Sequence, residues 1–426
     1  MEAEMEICRL LASILHLLSS SATPIASSSD VRELSSGDKV PYLLKRVFYH
    51  PEVFGTLVYE KAAALLTEFV HQEPSCLQYM LSSGVAKAFL ASLDKPLPPS
   101  RGVINAIPTV LGALCLTPTG CQVVEQAEPL KKLLGGLCSD KVVLYVQGSC
   151  PSNLGVQLEE LMRHNPSLID SCMAGCVDMS NQILSNLDTL AAGGSLSAAP
   201  STPPLTRHSY LLCAVEFLGK LLEPLMSAAE HSRAFVRKGG IESLLRILAI
   251  KDLPPNFSRS DSGRFVVLVV GKIAFHTPSD VLGEVMSRML NVLRGVQAAF
   301  SRAKVLEIAA APEGAKGAAF AGGKELLLAL ELHTSLLSGI VGSFRGSSTG
   351  VEWESAAGTE LVKVCAECYL ALRLCSSALT QGGDGHNPLT TRETNGGAKL
   401  QSPIDTLPDD QISIVPPSAA AGGAAG

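Results

Sequence analysis

The amino-acid sequence predicts an all-α fold: an armadillo- or HEAT-like solenoid of helical repeats, followed by a disordered C-terminal tail. Three observations predict it. Apolar residues recur with the 3.6-residue period of a helix along most of the chain. The apolar residues of the 426-residue chain are mainly Leu, Ala and Val, and aromatic residues make up only 5%, so the aromatic and β-branched enrichment of strands is lacking. Finally, one Gly-helix-Pro unit occurs twice, as expected for a repeat protein.

The helical period is clearest in runs whose apolar residues share one face of a helix. These faces are Val58, Ala62, Leu65, Leu66 and Phe69; Leu211, Val215, Leu218 and Leu222; and Leu282, Val285, Met286, Met289 and Leu293. The run VVLVV at 266–270 imitates a strand. Because its neighbours have a helical pattern, we assign it to a buried helix.

The stretch CPSNLGVQLEELMRHNPSL at 150–168 predicts a helix, a sharp corner and a second helix. The apolar face of the first helix consists of Leu154, Leu158, Leu161 and Met162. Asn153 is predicted to cap the start of this helix. Arg163 and His164 end it, where the helix dipole favours cations. Asn165 then precedes a proline that suits the first turn of the next helix.

Two segments of the chain repeat each other. GVAKAFLASLDKPLPP begins at Gly84, and GIESLLRILAIKDLPP begins at Gly240. Each is followed by an apolar helix and then by Thr-Pro, at 117–118 and 277–278. The alternative is that such patterns recur by chance in any helical protein. The shared spacing of four features favours a repeat, with a period of about 40–47 residues.

Changes in composition divide the chain into segments. We expect a first helical-repeat segment at 1–190, a flexible linker at 191–207 and a second helical-repeat segment at 208–381. The linker is rich in small residues and proline, and an Ala/Gly loop at 309–323 interrupts the second segment. Residues 382–426 contain few large apolar side chains, which predicts a disordered tail.

Composition also limits the partners and the location of the chain. The net charge is −6 and the basic residues form no stripe, which argues against nucleic acid as a partner.

Cysteines within apolar helical runs behave as small hydrophobes, so we expect the chain in a reducing compartment, the cytoplasm and/or the nucleus. The N-terminus imitates a signal peptide, but it carries Glu2, Glu4 and Glu6 where a signal needs positive charge. No run reaches the about 20 uninterrupted apolar residues of a membrane helix, so we expect no membrane partner.

No group of residues predicts catalysis, a metal or a cofactor. Cys365, Cys368 and Cys375 lack the second ligand pair that a zinc site needs. Cys172 and Cys176 lie one turn apart, as core thiols do on a helix. Nothing in the sequence pairs a cysteine with a histidine base. We therefore expect no catalytic residue, no cofactor and no small-molecule ligand.

The candidate interaction residues are Asn153, Arg163, His164 and Asn165, at the predicted helical corner, and Trp353. The four corner residues are more distinctive than helix formation requires. Capping of the two helix ends also accounts for each of them separately. Trp353 is the only tryptophan; it is either a packing residue or a hot spot for a partner.

Four segments, in the same order, resemble the N-terminal solenoid of the giant HECT-type E3 ubiquitin ligases of the Huwe and Tom class. They are HQEPSCLQYMLSSGVAKAFL at 71–90, ALCLTPTG at 113–120, the short motifs SNLG, ELMRH and PSL within 150–168, and VRKGGIESLLRIL at 236–248. Together they cover roughly residues 40–380.

This resemblance implies a non-catalytic scaffold or substrate-recruiting section of such a ligase, acting in protein ubiquitination. Its partners would be protein substrates and other parts of the ligase solenoid. In that family the ubiquitin thioester forms on a cysteine of a C-terminal catalytic domain, which nothing in this chain resembles. We therefore expect either a fragment of a longer ligase or a free-standing relative, unable to transfer ubiquitin alone. The alternative is an armadillo-type adaptor unrelated to ubiquitin transfer, although such adaptors commonly use a ladder of Trp and Asn that this chain lacks.

Overall fold

The computed structural model describes residues 2–21, 33, 37–96, 98–196, 206–250, 253–254, 256–299, 321–343 and 366. Within these ranges the regular structure is helical and contains no strand. The prediction of an all-α helical-repeat solenoid is thus confirmed. The strand-like run at 266–270 lies inside a helix, as predicted.

The helices of the first half are α1 (Glu2–Ser21), α2 (Lys39–Tyr49), α3 (Pro51–Gln72), α4 (Cys76–Ser82), α5 (Val85–Ser92), α6 (Arg101–Leu114), α7 (Pro118–Ala127), α8 (Pro129–Gly136), α9 (Asp140–Tyr145) and α10 (Cys150–His164). Those that follow are α11 (Ile169–Ala191), α12 (Arg207–Leu225), α13 (Ala229–Arg237), α14 (Gly240–Leu248), α15 (Asp261–His276), α16 (Pro278–Ala299) and α17 (Ala321–Ser343). Short 3-10 helices at Pro166–Leu168 and Phe257–Arg259 precede α11 and α15.

Local sequence fixes several helix starts. The hydroxyl groups of Thr117, Ser139, Thr206 and Ser260 accept hydrogen bonds from first-turn backbone N–H groups of α7, α9, α12 and α15. Such N-caps satisfy donors that have no partner inside the helix. Pro118 follows one of these caps at the first helical position, where proline loses no hydrogen bond. The Thr-Pro pair at 117–118 is therefore a helix start.

Seven helices form a continuous row, which we call the spine: α1, α3, α6, α10, α12, α15 and α17, each packed on the next. The intervening helices pack beside it, with α2 on α5, α8 on α11 and α11 on α14. From α3 onward the spine helices begin at residues 51, 101, 150, 207, 261 and 321. The repeat is therefore about 50–60 residues long. The predicted period of 40–47 was too short because one to three further helices, with their connections, separate successive spine helices.

Glycines bring the spine helices close together. Gly155 of α10 lies against the Leu221 carbonyl in α12, and Gly219 of α12 lies against Phe265 in α15. A Cβ atom at either glycine would overlap its neighbour. These positions allow an approach that any larger residue would prevent, as glycine does wherever backbone must come close.

The two similar segments are equivalent, but one residue away from the predicted register. Gly84 precedes α5 with φ of 80°, and Gly239 precedes α14 with φ of 81°. Aligning these two glycines matches the buried and exposed positions of both helices, from Val85 against Gly240 onward. The sequence alignment paired Gly84 with Gly240 because both Leu-Pro-Pro stretches then coincide. The second segment therefore has one extra residue after its helix.

The hydrophobic core is continuous across the predicted linker. One cluster of buried side chains extends from Ala12 to Ile340. Tyr210 of α12 donates a hydrogen bond of 2.8 Å to the Cys138 carbonyl and accepts one of 2.7 Å from Asn186 of α11. The connection between α11 and α12 thus separates two helices along the chain, but their side chains belong to one continuous core. Residues 197–205 of that linker lie outside the described residues.

The predicted helical faces are buried. All members of the faces beginning at Val58 and Leu211 are at most 1% exposed. In the third face Leu282 is half-buried and the other four residues are buried. Of the predicted Ala/Gly loop, residues 321–323 belong to α17 and the rest lies outside the described residues, as does the predicted tail at 382–426. No helix in the described ranges is both long and apolar enough to span a bilayer.

Candidate functional site

The structure separates the four predicted corner residues. Helix α10 begins at Cys150, so Asn153 is an exposed residue of its first turn and not its N-cap. The prediction of a cap there was wrong because the helix extends three residues further back, through Pro151. Arg163 and His164 occupy the last turn of the same helix. At 1.5 Å per residue, about 15 Å of helix separates Asn153 from Arg163.

The other three corner residues lie together at the end of α10. Asn165 caps the helix: its backbone N–H and its side-chain amide donate to the Leu161 carbonyl at 2.9 and 3.1 Å. Arg163 lies 3.8 Å from Glu160, and both side chains are 60% exposed. A pair so exposed contributes little to stability. His164 is exposed and in the last turn, as predicted.

His164 and Asn165 also line a groove at the C-terminal ends of three consecutive spine helices, which we call the C-terminal groove. Its volume is about 560 Å³, within the range of about 300–1,000 Å³ typical of ligand sites. The lining residues are His71 of α3; Pro108, Thr109, Gly112 and Ala113 of α6, with Cys115 and Leu116 just beyond; and Gln157, Glu160, Leu161 and His164 of α10, with Asn165.

One wall of the groove is a stripe on α10. Gln157, Glu160, Leu161 and His164 are spaced i, i+3, i+4, i+7, so they share one helical face. Leu161 is buried and forms the apolar part of this stripe. The Oε1 atom of Gln157 is buried and has no hydrogen-bond partner within the described chain. Leaving a buried acceptor without a hydrogen bond destabilises the fold, and a donor from a ligand would remove that penalty.

The opposite wall is the last two turns of α6. Pro108 lies inside this helix, where it removes one backbone N–H. Gly112 leaves open space, since a Cβ there would touch only Leu161, at 3.9 Å. Leu116 is 54% exposed at the rim. The α6 wall is therefore apolar apart from Thr109, and its glycine widens the groove.

The electrostatics of the groove favour positive charge. Helices α3, α6 and α10 all end here, and the C-terminal end of a helix carries a partial negative charge and carbonyls without intrahelical partners. Glu160 adds a full negative charge. None of the lining residues is Lys or Arg. The groove therefore places one carboxylate, three helix C-termini and two histidines, His71 and His164, beside a largely apolar wall.

One thiol, that of Cys115, lines the groove, and that of Cys121 lies beside it. Cys121 contacts the Asn165 side-chain oxygen at 3.9 Å and Glu125 at 3.5 Å. Burial, and then the neighbouring Cys121, raise the pKa of Cys115 to about 12. Burial also raises the pKa of Cys138 to about 12. Because the thiolate is the reactive form, Cys115 and Cys138 are poor nucleophiles at neutral pH.

Further site predictions stay untested. Trp353 lies outside the described residues, as do Cys365, Cys368 and Cys375. Among the residues that the structure does describe, no cluster of three His, Cys, Asp or Glu could hold a metal ion.

Sequence reasoning missed most of the groove. The spacing of Gln157, Glu160 and His164 could have shown a polar stripe beside the apolar face of α10. His71 and Gly112 could not have been found this way, because only the packing of α3 on α6 and of α6 on α10 brings them there.

Residues 5–199 match the family described as Domain of Unknown Function (DUF913). The chain is 25% identical over 271 residues to E3 ubiquitin-protein ligase ptr1 of Schizosaccharomyces pombe, which covers 63% of this chain and 8% of that protein. It is 31% identical over 183 residues to mouse E3 ubiquitin-protein ligase HUWE1, covering 41% of this chain and 4% of that protein. For E3 ubiquitin-protein ligase UPL1 of Arabidopsis thaliana the identity is 26% over 255 residues, covering 52% and 7%.

The chain thus spans less than a tenth of each of these relatives. The family match at 5–199 includes three of the four segments that carry the resemblance, those at 71–90, 113–120 and 150–168. The chain therefore resembles an N-terminal region of the Huwe/Tom-type E3 ubiquitin ligases, as the sequence predicted.

Proposed function

We propose that this chain is a non-catalytic, protein-binding section of a HECT-type E3 ubiquitin ligase, which recruits substrates or joins other parts of the ligase solenoid. The similarity to ligases from yeast, mouse and plant carries this proposal and supports a role in the ubiquitination pathway. A solenoid suits such a role, because stacked repeats form extended binding surfaces.

Two of the twelve cysteines of the chain are poorly suited to a catalytic role. Ubiquitin transfer by this class of ligase needs a cysteine that forms a thioester. The pKa of Cys115 and that of Cys138 are both raised to about 12, which keeps these thiols protonated and unreactive.

The proposed partners are protein substrates and neighbouring parts of a ligase. The proposed location is the cytoplasm and/or the nucleus, on the argument that the cysteines lie in apolar helical runs of the sequence. The competing proposal is an armadillo-type adaptor unrelated to ubiquitin.

Affinity purification separates these two proposals. The tagged full chain would be expressed in cells in which the proteasome is inhibited, and ubiquitin-remnant peptides would be counted in the recovered proteins. We expect these peptides to be enriched over a tag-only control, together with ubiquitin-pathway enzymes. Recovery of partners without any such enrichment would favour the adaptor.

A further inference from the structure

We infer that the C-terminal groove binds a basic side chain, Arg in preference to Lys, from an extended segment of a partner protein. This inference rests on the proposed binding function and names the partner chemistry of the site. The charge of the groove favours a cation: three helices end beside it and Glu160 lines it, and the lining residues include two histidines, His71 and His164, but no Lys or Arg.

The polar groups of the groove match a guanidinium group. Gln157 Oε1 is a buried acceptor without a partner, and Glu160 lies one turn further along the same face. Arginine presents five N–H donors in a planar fork, which can serve both acceptors and a terminal helix carbonyl together. An ammonium group has three donors and a more strongly bound water shell, so Lys should bind less tightly.

The apolar wall matches the rest of that side chain. Pro108 and Leu161 are buried, and Leu116 is 54% exposed at the rim. Arg and Lys side chains place their methylene stems along apolar surface while the charged end reaches polar groups. Arg163, at 3.8 Å from Glu160, is outside the lining residues. Because an ion pair this exposed is weak, a better-placed cation can displace Arg163 from the Glu160 carboxylate.

Four labelled pools of nine-residue peptides test the inference on the purified full chain. The pools differ only in the central residue, which is Arg, Lys, Gln or Glu, and the flanking positions carry a mixture of uncharged residues. Fluorescence anisotropy should show at least about tenfold tighter binding of the Arg pool than of the Gln pool, a difference of about 1.4 kcal/mol. The Lys pool should be intermediate and the Glu pool weakest. Equal affinity for all four pools would overturn the inference.

Substitutions in and beside the C-terminal groove test whether the peptides bind there. Glu160→Gln should remove most of the preference for Arg, whereas Glu159→Gln, on the same helix but outside the groove, should preserve it. Gly112→Met should fill the groove and abolish binding, while Gly112→Ala keeps the fold and most of the affinity. Equal losses in the two glutamate variants, or unchanged binding by a folded Gly112→Met chain, would contradict the inference.

Analytical sedimentation of the wild-type chain tests whether a second copy of the chain occupies the groove instead. Self-association that Gly112→Met abolishes would assign the groove to a second copy and overturn the proposal. Concentration-independent monomers would support it. A failed peptide experiment with intact ubiquitin enrichment in cells would reject the groove proposal and leave the proposed function standing.

Discussion

Gly155 of α10 packs directly on the backbone carbonyl of Leu221 in α12, and the side chain of Pro224 closes the same contact. A methyl group on Gly155 would overlap both. Two rigid spine helices can relieve that overlap only by moving apart. Since the same arrangement recurs where Gly219 meets Phe265, the spacing of the spine depends on small residues at its crossings.

We therefore predict that Gly155→Ala destabilises the chain by about 1–3 kcal/mol, the usual cost of overpacking a core. The matched control is Gly283→Ala, in an exposed turn of α16 where a Cβ meets nothing within 4 Å. It should stabilise by about 0.5–1 kcal/mol, because alanine favours a helix over glycine. Urea unfolding followed by circular dichroism measures both. A Gly155→Ala chain as stable as wild type would show that the helices can shift freely.

How much of this was predictable from the sequence depends on the range of the interactions. The buried faces of α3, α10 and α12 follow from a local 3.6-residue period, and the structure buries them. The position of Gly239 does not, because only its positive φ and the packing of α14 fix the register. The C-terminal groove needs three helices from distant parts of the sequence, and the unpartnered Gln157 acceptor appears only when they meet.

Substitution by alanine should reduce stability by different amounts at Leu158 and at Leu161. Both lie on the apolar face of α10, but Leu158 is fully buried while Leu161 is 5% exposed and lines the groove. Removing a buried leucine side chain costs about 2–5 kcal/mol, with the larger values where a closed cavity is left. We predict that both substitutions by alanine destabilise, and that Leu158→Ala costs more. Unfolding midpoints with Leu161→Ala at or beyond the Leu158→Ala value would contradict this order.

Acidification should destabilise the end of the solenoid that contains His333. This residue of α17 is 5% exposed, and burial lowers its pKa below the usual 6.5. At pH values between the two, the unfolded chain binds more protons than the folded chain, so stability falls as the pH decreases below about 6.5. We predict that His333→Gln reduces the loss of stability between pH 7.5 and 5.5. A loss as large as in wild type would assign the effect to other groups.

The purified chain should form no ubiquitin thioester. The pKa values of Cys115 and Cys138 are raised to about 12, which leaves almost no thiolate on these two at neutral pH, and nothing in the sequence pairs another cysteine with a histidine base. The measurement is incubation with activating enzyme, a charged conjugating enzyme and ubiquitin, followed by a non-reducing gel. A ubiquitin adduct that disappears on reduction would contradict the prediction, and alanine substitution of single cysteines would then identify the acceptor.

The end of α10 allows local capping to be separated from partner binding. Asn165 donates two hydrogen bonds to the Leu161 carbonyl, so Asn165→Ala should lose the side-chain bond and about 0.5–1.5 kcal/mol of stability. Arg163→Ala should cost about 0.3–1 kcal/mol at most, since only the interaction with the helix dipole and an exposed pair with Glu160 are lost.

Neither Asn153→Ala nor Arg163→Ala should change the recovery of protein partners, because both side chains lie outside the C-terminal groove. His164→Ala should reduce that recovery while lowering stability by no more than Arg163→Ala does. If Arg163→Ala or Asn153→Ala reduced it instead, the binding surface would lie on the exposed side of α10, away from the groove.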